Sequence, residues 1–241
     1  MKVRLLGVGM GPQHLTAEVA HALRSCDYVV AASKSDDDEL LAIRQAICDE
    51  HDVELVAVPD PVRDREPADY PGTVAAWHDA RAAAYAEVIR ERGGTAAFLV
   101  WGDPSLYDST IRVIGRVAES VGADWDVLPG VSAPSLLAAR HRIVLHEVGQ
   151  PVHLTSPRRL HEALANDQTN IVVMLGNEAD LTALVGLAEW SIWWGANLGT
   201  GSEELVSGRV ADVLADLVAA RARAKQAAGW VMDVYLLRAP A

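Results

Sequence analysis

The densest chemistry-bearing run in this chain is Trp101-Gly102-Asp103-Pro104-Ser105-Leu106-Tyr107-Asp108-Ser109-Thr110, directly after the apolar segment 96–101. An apolar run of that length reads as a buried strand, so Gly, Asp and Pro stand at the carboxyl end of a parallel sheet, where open α/β folds take their ligands. Asp103 would be a carboxylate on backbone stiffened by Pro104. Its plainer reading is an Asx-type turn ahead of a helix that Asp108 or Ser109 would cap. Pro129-Gly130-Val131-Ser132-Ala133 forms a second turn of this kind. A nucleophile elbow requires glycine where Pro134 stands, so Ser132 reads as an N-cap or as a hydrogen-bond donor to a ligand.

Gly7-Val8-Gly9-Met10-Gly11-Pro12 occupies the place of a dinucleotide phosphate loop, between a first strand and a first helix. The match fails at Pro12, which replaces the third glycine and offers no N–H, and no acidic residue closes the second strand at Ala32-Ser33. A tight turn and a ligand loop both remain open. Arg140-His141-Arg142 and Arg158-Arg159 are the densest basic spots and suit carboxylates, although solvated surface arginines fit the pattern as well. His141 and His146 lie five apart, which suits no zinc motif, and no metal site is expected.

These turns need elements to hold them. Apolar runs at 3–8, 28–31, 53–58, 96–101, 125–128, 152–155, 170–175, 191–194 and 231–237 read as strands, alternating with segments of helical period. Leu15, Val19, Ala22 and Leu23 form one helical stripe that Thr16 would cap. Asp36, Asp37, Asp38 and Glu39 read as the solvated first turn of a second helix. Four prolines in 59–72 predict a loop, followed by a long helix over 73–92. The Pro129–Gly130 turn divides the chain into an N-terminal α/β domain, 1–129, and a C-terminal one, 130–241.

Composition bounds the reading. Half of the 241 residues are apolar and 22% charged, an ordinary globular balance. The formal charge of −12 repels nucleic acid, so an anionic ligand needs a local basic site. Two cysteines, Cys26 and Cys48, suggest neither a disulfide framework nor zinc, and fit the cytoplasm. No apolar run approaches the roughly 20 residues of a membrane span, and no export signal or anchor is expected. Seven Trp against one Phe is unusual and suits a pocket for a flat ligand as well as a core.

Taken in order, GxGxGPxxLT near the start, LVWGDPSLYDST in the middle and LPGVSAPSLLA after it resemble the tetrapyrrole methylase family, the S-adenosylmethionine methyltransferases that build siroheme and cobalamin. Segments 98–112 (FLVWGDPSLYDSTIR), 137–149 (LAARHRIVLHEVG), 172–175 (VVML), 192–205 (IWWGANLGTGSEEL) and 229–238 (GWVMDVYLLR), with Trp77, His78, Arg81 and Tyr85, sharpen it to the deacetylating subgroup. The resemblance implies the two-domain fold of that family. Each domain would be a mainly parallel or mixed sheet flanked by helices, with the cofactor in the interdomain cleft of a homodimer. It places S-adenosylmethionine against Trp101, Gly102, Asp103, Leu106, Ser132, Ala133, Met174 or Leu175, Ala196 to Thr200, and Gly229, Trp230 and Val231. Pro12 and its loop would face the tetrapyrrole.

The implied reaction methylates C-1 of precorrin-5 and releases the acetyl group as acetate, with S-adenosylhomocysteine as the other product. A sulfonium methyl is already electrophilic, so alignment in a dry cleft is the main requirement. Acetyl loss needs activated water, for which Asp103, His141 and His78 are candidate bases. Arg140, Arg142, Arg158 and Arg159, with Arg63 and Arg65 of the proline-rich loop, would meet the carboxylates of the macrocycle. Three alternatives stay open: a sibling methylase acting at C-11 or C-20, a nicotinamide-dependent oxidoreductase, and a non-catalytic tetrapyrrole carrier.

Overall fold

A computed structural model describes residues 1–33, 39–61, 70–176, 181 and 183–240. The chain divides into two compact units, Met1–Val131 and Ser132–Ala241. In the first unit β1 (Lys2–Gly7), β2 (Tyr28–Ser33), β3 (Glu54–Pro59), β4 (Thr95–Val100) and β5 (Asp124–Leu128) pair in parallel in the order β3-β2-β4-β1-β5. Parallel neighbours require crossovers, supplied here by α1 (Ala17–Arg24), α2 (Glu39–Glu50), α3 (Tyr70–Arg92) and α4 (Thr110–Val121).

Alternation along the strands sends side chains into two cores. Val3, Leu5 and Phe98 pack with Ile89 of α3 and Ile114 and Val117 of α4, while Leu6, Val29 and Leu99 pack with Val19 and Leu23 of α1 and Ile47 of α2. Full burial of such a side chain stabilises by about 1.5–3 kcal/mol, so both faces of the sheet need helical cover. Val19, Ala22 and Leu23 of the predicted stripe are buried on α1, whereas Leu15 precedes the helix and is half-buried; Thr16 caps the helix by accepting the Val19 N–H. Cys26 and Cys48 are buried free thiols, each pushed up to about 11 by burial and so poor nucleophiles.

The second unit carries a mixed sheet in the order β6-β7-β10-β8-β9: β6 (His153–Thr155), β7 (Asn170–Met174), β8 (Ser191–Ala196), β9 (Glu204–Arg209) and β10 (Asp233–Arg238). Only the β6–β7 pairing is parallel. Helices α5 (Ala133–His141), α6 (Leu160–Ala165) and α7 (Val210–Ala228) cover it, around a core that includes Trp194, Tyr235, Ile192 and Leu217. Leu137 of α5 seats on Gly195, where an added Cβ would lie 3.1 Å from Leu137 Cδ1.

All nine anticipated strands form, and the two helix-flanked sheets, one parallel and one mixed, are the expected α/β architecture. The long helix begins at Tyr70 rather than residue 73, with Pro71 tolerated inside its first turn. The tenth strand, β9, was not anticipated. Asp36, Asp37, Asp38, Arg63 and Arg65 lie outside the described residues. No helix among the described residues is long and apolar enough to cross a membrane.

Candidate active site

In the first unit the turns that follow β1, β4 and β5 meet at glycines. A Cβ on Gly130 would lie 2.3 Å from the Gly102 carbonyl oxygen, and one on Gly7 would lie 2.5 Å from the Gly130 nitrogen. Only bare backbone fits at Gly7 and Gly130, whereas the glycine of WGD answers to its left-handed backbone, φ +73°. Gly9 and Gly102 exchange hydrogen bonds, Gly9 N–H to Gly102 O at 3.2 Å and Gly102 N–H to Gly9 O at 2.7 Å.

Asp103 stands at this junction. Its Oδ1 accepts the Ser105 N–H (2.9 Å) and the Ser105 hydroxyl, and Oδ2 accepts the Gly130 N–H (3.1 Å). The Asx turn is therefore real, and the same carboxylate also ties the β4 turn to the β5 turn. Partial burial resists the charge, but the three donors outweigh it and hold the carboxyl below the usual carboxylate range. Asp103 is thus a persistent anion and a weak proton acceptor at neutral pH. Asp108 caps α4 by accepting the Thr110 N–H at 2.5 Å, while Ser109, at the N-cap position, makes no side-chain cap bond.

Pro12 opens a short 3-10 turn, Pro12–His14, and α1 begins only at Ala17. No α-helix N-terminus starts at the glycine loop, so the pyrophosphate geometry of a dinucleotide site is not built. The turn also places His14 beside Gly9, with its Nδ1 buried and lacking a hydrogen-bond partner among the described residues. No sequence pattern marks this histidine, because only the turn brings it to the strand ends. His78 lies on α3, its ring 5.3 Å from that of Trp77. Trp77 donates its indole N–H to Pro61 O (2.9 Å), and Arg81 stacks on Trp77 and pairs with Asp60 (2.6 Å). This aromatic cluster is fastened to the end of β3.

In the second unit Ser132 is the N-cap of α5, accepting the Ser135 N–H at 3.3 Å, and Ala133 is the first helical residue. His141 Nε2 lies 3.0 Å from the Trp194 carbonyl. A carbonyl only accepts, so Nε2 carries the proton and Nδ1 is the basic nitrogen. Burial lowers the His141 pKa, against the opposing effect of that bond, and keeps the ring neutral. Met174 is buried, whereas Leu175 adopts φ +65°, is 50% exposed and donates its N–H to Asp233 O (2.9 Å). A left-handed leucine is a genuine outlier, and it turns the side chain out of the sheet. Ala196 is fully buried in β8; beyond it Thr200 closes a turn onto Asn197, and Gly229 ends α7 at φ +73°.

Two of the four anticipated cations that lie among the described residues are held in ion pairs. Arg140 is paired through Nε with Glu203 (2.8 and 3.1 Å), and Arg159 with Glu162 (2.5 Å). Arg142 caps α5 at φ +55°, exposed and without an ion pair among the described residues; Arg158 is exposed. What the structure does bring together is Asp103 with Gly130 in one unit, and the 197–200 turn with 230–232 in the other. Asn197, which the sequence offers only as one of residues 196–200, does the joining in the second unit, and Glu203, which no sequence signal marks, ties the turn to Arg140 of α5. No group of three or more His, Cys, Asp or Glu side chains among the described residues is arranged to hold a metal ion.

Residues 2–225 match the family model described as Tetrapyrrole (Corrin/Porphyrin) Methylases. The chain is 41% identical over 248 residues to precorrin-6A synthase [deacetylating] from Sinorhizobium sp, covering 98% of this chain and 95% of that one. Among solved structures, the cobalamin synthesis related protein CobF from Corynebacterium diphtheriae superposes with a TM-score of 0.83 at 38% identity, over 99% of this chain and 98% of that one. Uroporphyrin-III C-methyl transferase from Thermus thermophilus, solved in complex with S-adenyl homocysteine, shares the fold at 19% identity (TM-score 0.61; 98% of this chain, 92% of that one).

Proposed function

Because the chain belongs to the tetrapyrrole (corrin/porphyrin) methylase family, we propose that it transfers a methyl group from S-adenosylmethionine to C-1 of precorrin-5 and releases the acetyl group as acetate, giving precorrin-6A. The observation that carries this reading is 41% identity, sustained over nearly all of both chains, to a precorrin-6A synthase [deacetylating]. We further propose that it works as a cytoplasmic homodimer.

The residues fit such a cofactor in their chemistry. S-adenosylmethionine has a cationic sulfonium, an ammonium, ribose hydroxyls and an apolar adenine face. Asp103, held ionised, is an acceptor for cations and hydroxyls, with Gly102 and Leu106 beside it. In the second unit Leu175 presents apolar surface, while 197–200 and 229–231 offer backbone groups. Of the pair Met174 and Leu175, the exposed Leu175 is the better assigned; Ala196, being buried, contributes through its backbone alone. When bound, S-adenosylmethionine supplies an electrophilic methyl on sulfur, so this chain has to hold, orient and keep out water.

Acetyl loss asks for more. Water adds to the acetyl carbonyl, the bond from that carbon to C-1 breaks, its electron pair stays with the macrocycle, and acetate and a proton leave. Asp103 is too weak a base for the water. His141 has a suitable arrangement, its ring favoured in the neutral form by burial and its Nε2 proton on the Trp194 carbonyl, which leaves Nδ1 as the basic nitrogen. Arg142, Arg158 and Arg159 are exposed cations assigned to substrate carboxylates.

Calorimetric titration with S-adenosylhomocysteine and with NAD(H) and NADP(H) tests this reading against the oxidoreductase. S-adenosylhomocysteine binding without nicotinamide binding is expected. Nicotinamide binding alone would overturn the methylase assignment.

A further inference from the structure

Asn197 sits where β8 ends, 1% exposed, with φ +47°. Its N–H donates to Met232 O (2.9 Å), which carries the antiparallel β8–β10 pairing one residue past Ala196 and Asp233. Such a pair normally exchanges two hydrogen bonds. Here the left-handed backbone swings the Asn197 carbonyl out of the ladder, and that carbonyl instead accepts the N–H (3.1 Å) and the hydroxyl (2.8 Å) of Thr200. The Met232 N–H left without its partner donates to the Asn197 side chain, Oδ1, at 2.9 Å. The amide thereby replaces its own main-chain carbonyl. Its Nδ2 donates to Ser202 Oγ (3.0 Å) and Trp230 O (3.2 Å), so every polar atom of the side chain is engaged. One residue type meets all these demands: asparagine tolerates the left-handed region and supplies an acceptor and two donors.

A second tie reaches the same turn. Glu203 Oε2 accepts the Gly199 N–H (2.7 Å) while the carboxylate holds Arg140 Nε, which fastens the turn to α5.

We propose that Asn197 is the positioning residue of the cofactor site, fixing the 197–200 turn against 229–231, with Glu203 and Arg140 as its outer brace. The inference rests on the reading above that these two segments hold S-adenosylmethionine. It also gives Arg140 a role other than meeting substrate carboxylates. Asn197 touches no reacting atom; it sets the backbone groups that do the holding, so its loss should act on cofactor affinity more than on turnover.

The test uses Asn197→Gly, which keeps the left-handed backbone at no steric cost and removes only the amide, and Glu203→Ala, which removes the carboxylate that accepts the Gly199 N–H, at a more accessible site. S-adenosylhomocysteine affinity by calorimetry, KM for S-adenosylmethionine, kcat with precorrin-5 and thermal unfolding are measured on each folded protein. For Asn197→Gly the dissociation constant and the KM are expected to rise about tenfold or more, with kcat at saturation within about threefold of wild type. For Glu203→Ala a rise of about threefold is expected, with an unfolding temperature close to wild type. If Asn197→Gly does not fold, the Glu203→Ala result decides. Variants that bind S-adenosylhomocysteine like wild type, even if less stable, overturn the positioning role. Wild-type protein that fails to bind it at all overturns the methylase reading instead.

Discussion

Three hydrogen bonds converge on the Asp103 carboxylate, and they decide what this residue is suited to do. A carboxylate so held is a fixed negative charge, not a proton shuttle. Asp103→Ala should therefore weaken S-adenosylhomocysteine binding about tenfold while leaving a cooperative fold, read by calorimetry and circular dichroism; unchanged affinity would remove Asp103 from the site. Its folded-state pKa is lowered, so the stability it contributes is complete above the unfolded carboxylate range and fades as pH falls through the lowered value. Asp233 behaves in the opposite way. Burial raises its pKa, against the opposing charge and hydrogen bond of Arg221 (3.1 Å). Arg221→Met leaves that carboxylate buried and unpaired, a loss of about 3 kcal/mol near neutral pH. Because protonation relieves the unpaired charge, the deficit should shrink as pH falls through the raised pKa, measured by urea unfolding at several pH values. A deficit independent of pH would show that Asp233 is not charged in the folded protein.

At the scale of elements, the site depends on strand ends brought close enough that side chains are excluded. Gly130→Ala puts a methyl group 2.3 Å from the Gly102 carbonyl oxygen, so the β4 and β5 turns must separate. About 2 kcal/mol of stability should be lost in chemical denaturation, with the Asp103–Gly130 bond broken as well. Wild-type stability in this variant would mean that the junction is looser than described. These turns were legible from the sequence because glycine and proline directly after an apolar run stop a buried strand and turn the chain at its end. The unanticipated strand shows where such reading ends. Glu204 to Arg209 alternates half-buried and exposed residues along a sheet edge, contains Gly208, and offers no continuous apolar run to mark it. Asn197 was hidden for a related reason: its significance lies in a missing main-chain hydrogen bond, which pattern does not reveal. His14 was likewise invisible until Pro12 was seen to start a 3-10 turn. The pairing of Arg140 with Glu203 and of Arg159 with Glu162 was equally illegible, since these partners meet only in the fold or on a formed helix turn.

For the molecule as a whole, a charge of −12 sets the problem of attracting a polycarboxylate, and ion pairs with Glu203 and Glu162 already engage two of the candidate cations. Raised ionic strength should consequently change the KM for precorrin-5 more than that for S-adenosylmethionine, a comparison available from steady-state kinetics at two salt concentrations; equal responses would speak against charge-guided substrate capture. The most direct measurement is incubation of the purified protein with precorrin-5 and S-adenosylmethionine carrying a 13C methyl group, followed by mass and NMR analysis of the corrinoid and assay of free acetate. One labelled methyl at C-1 and one acetate per turnover are expected. Label at another ring carbon, or methylation with the acetyl group retained, would contradict the proposed reaction.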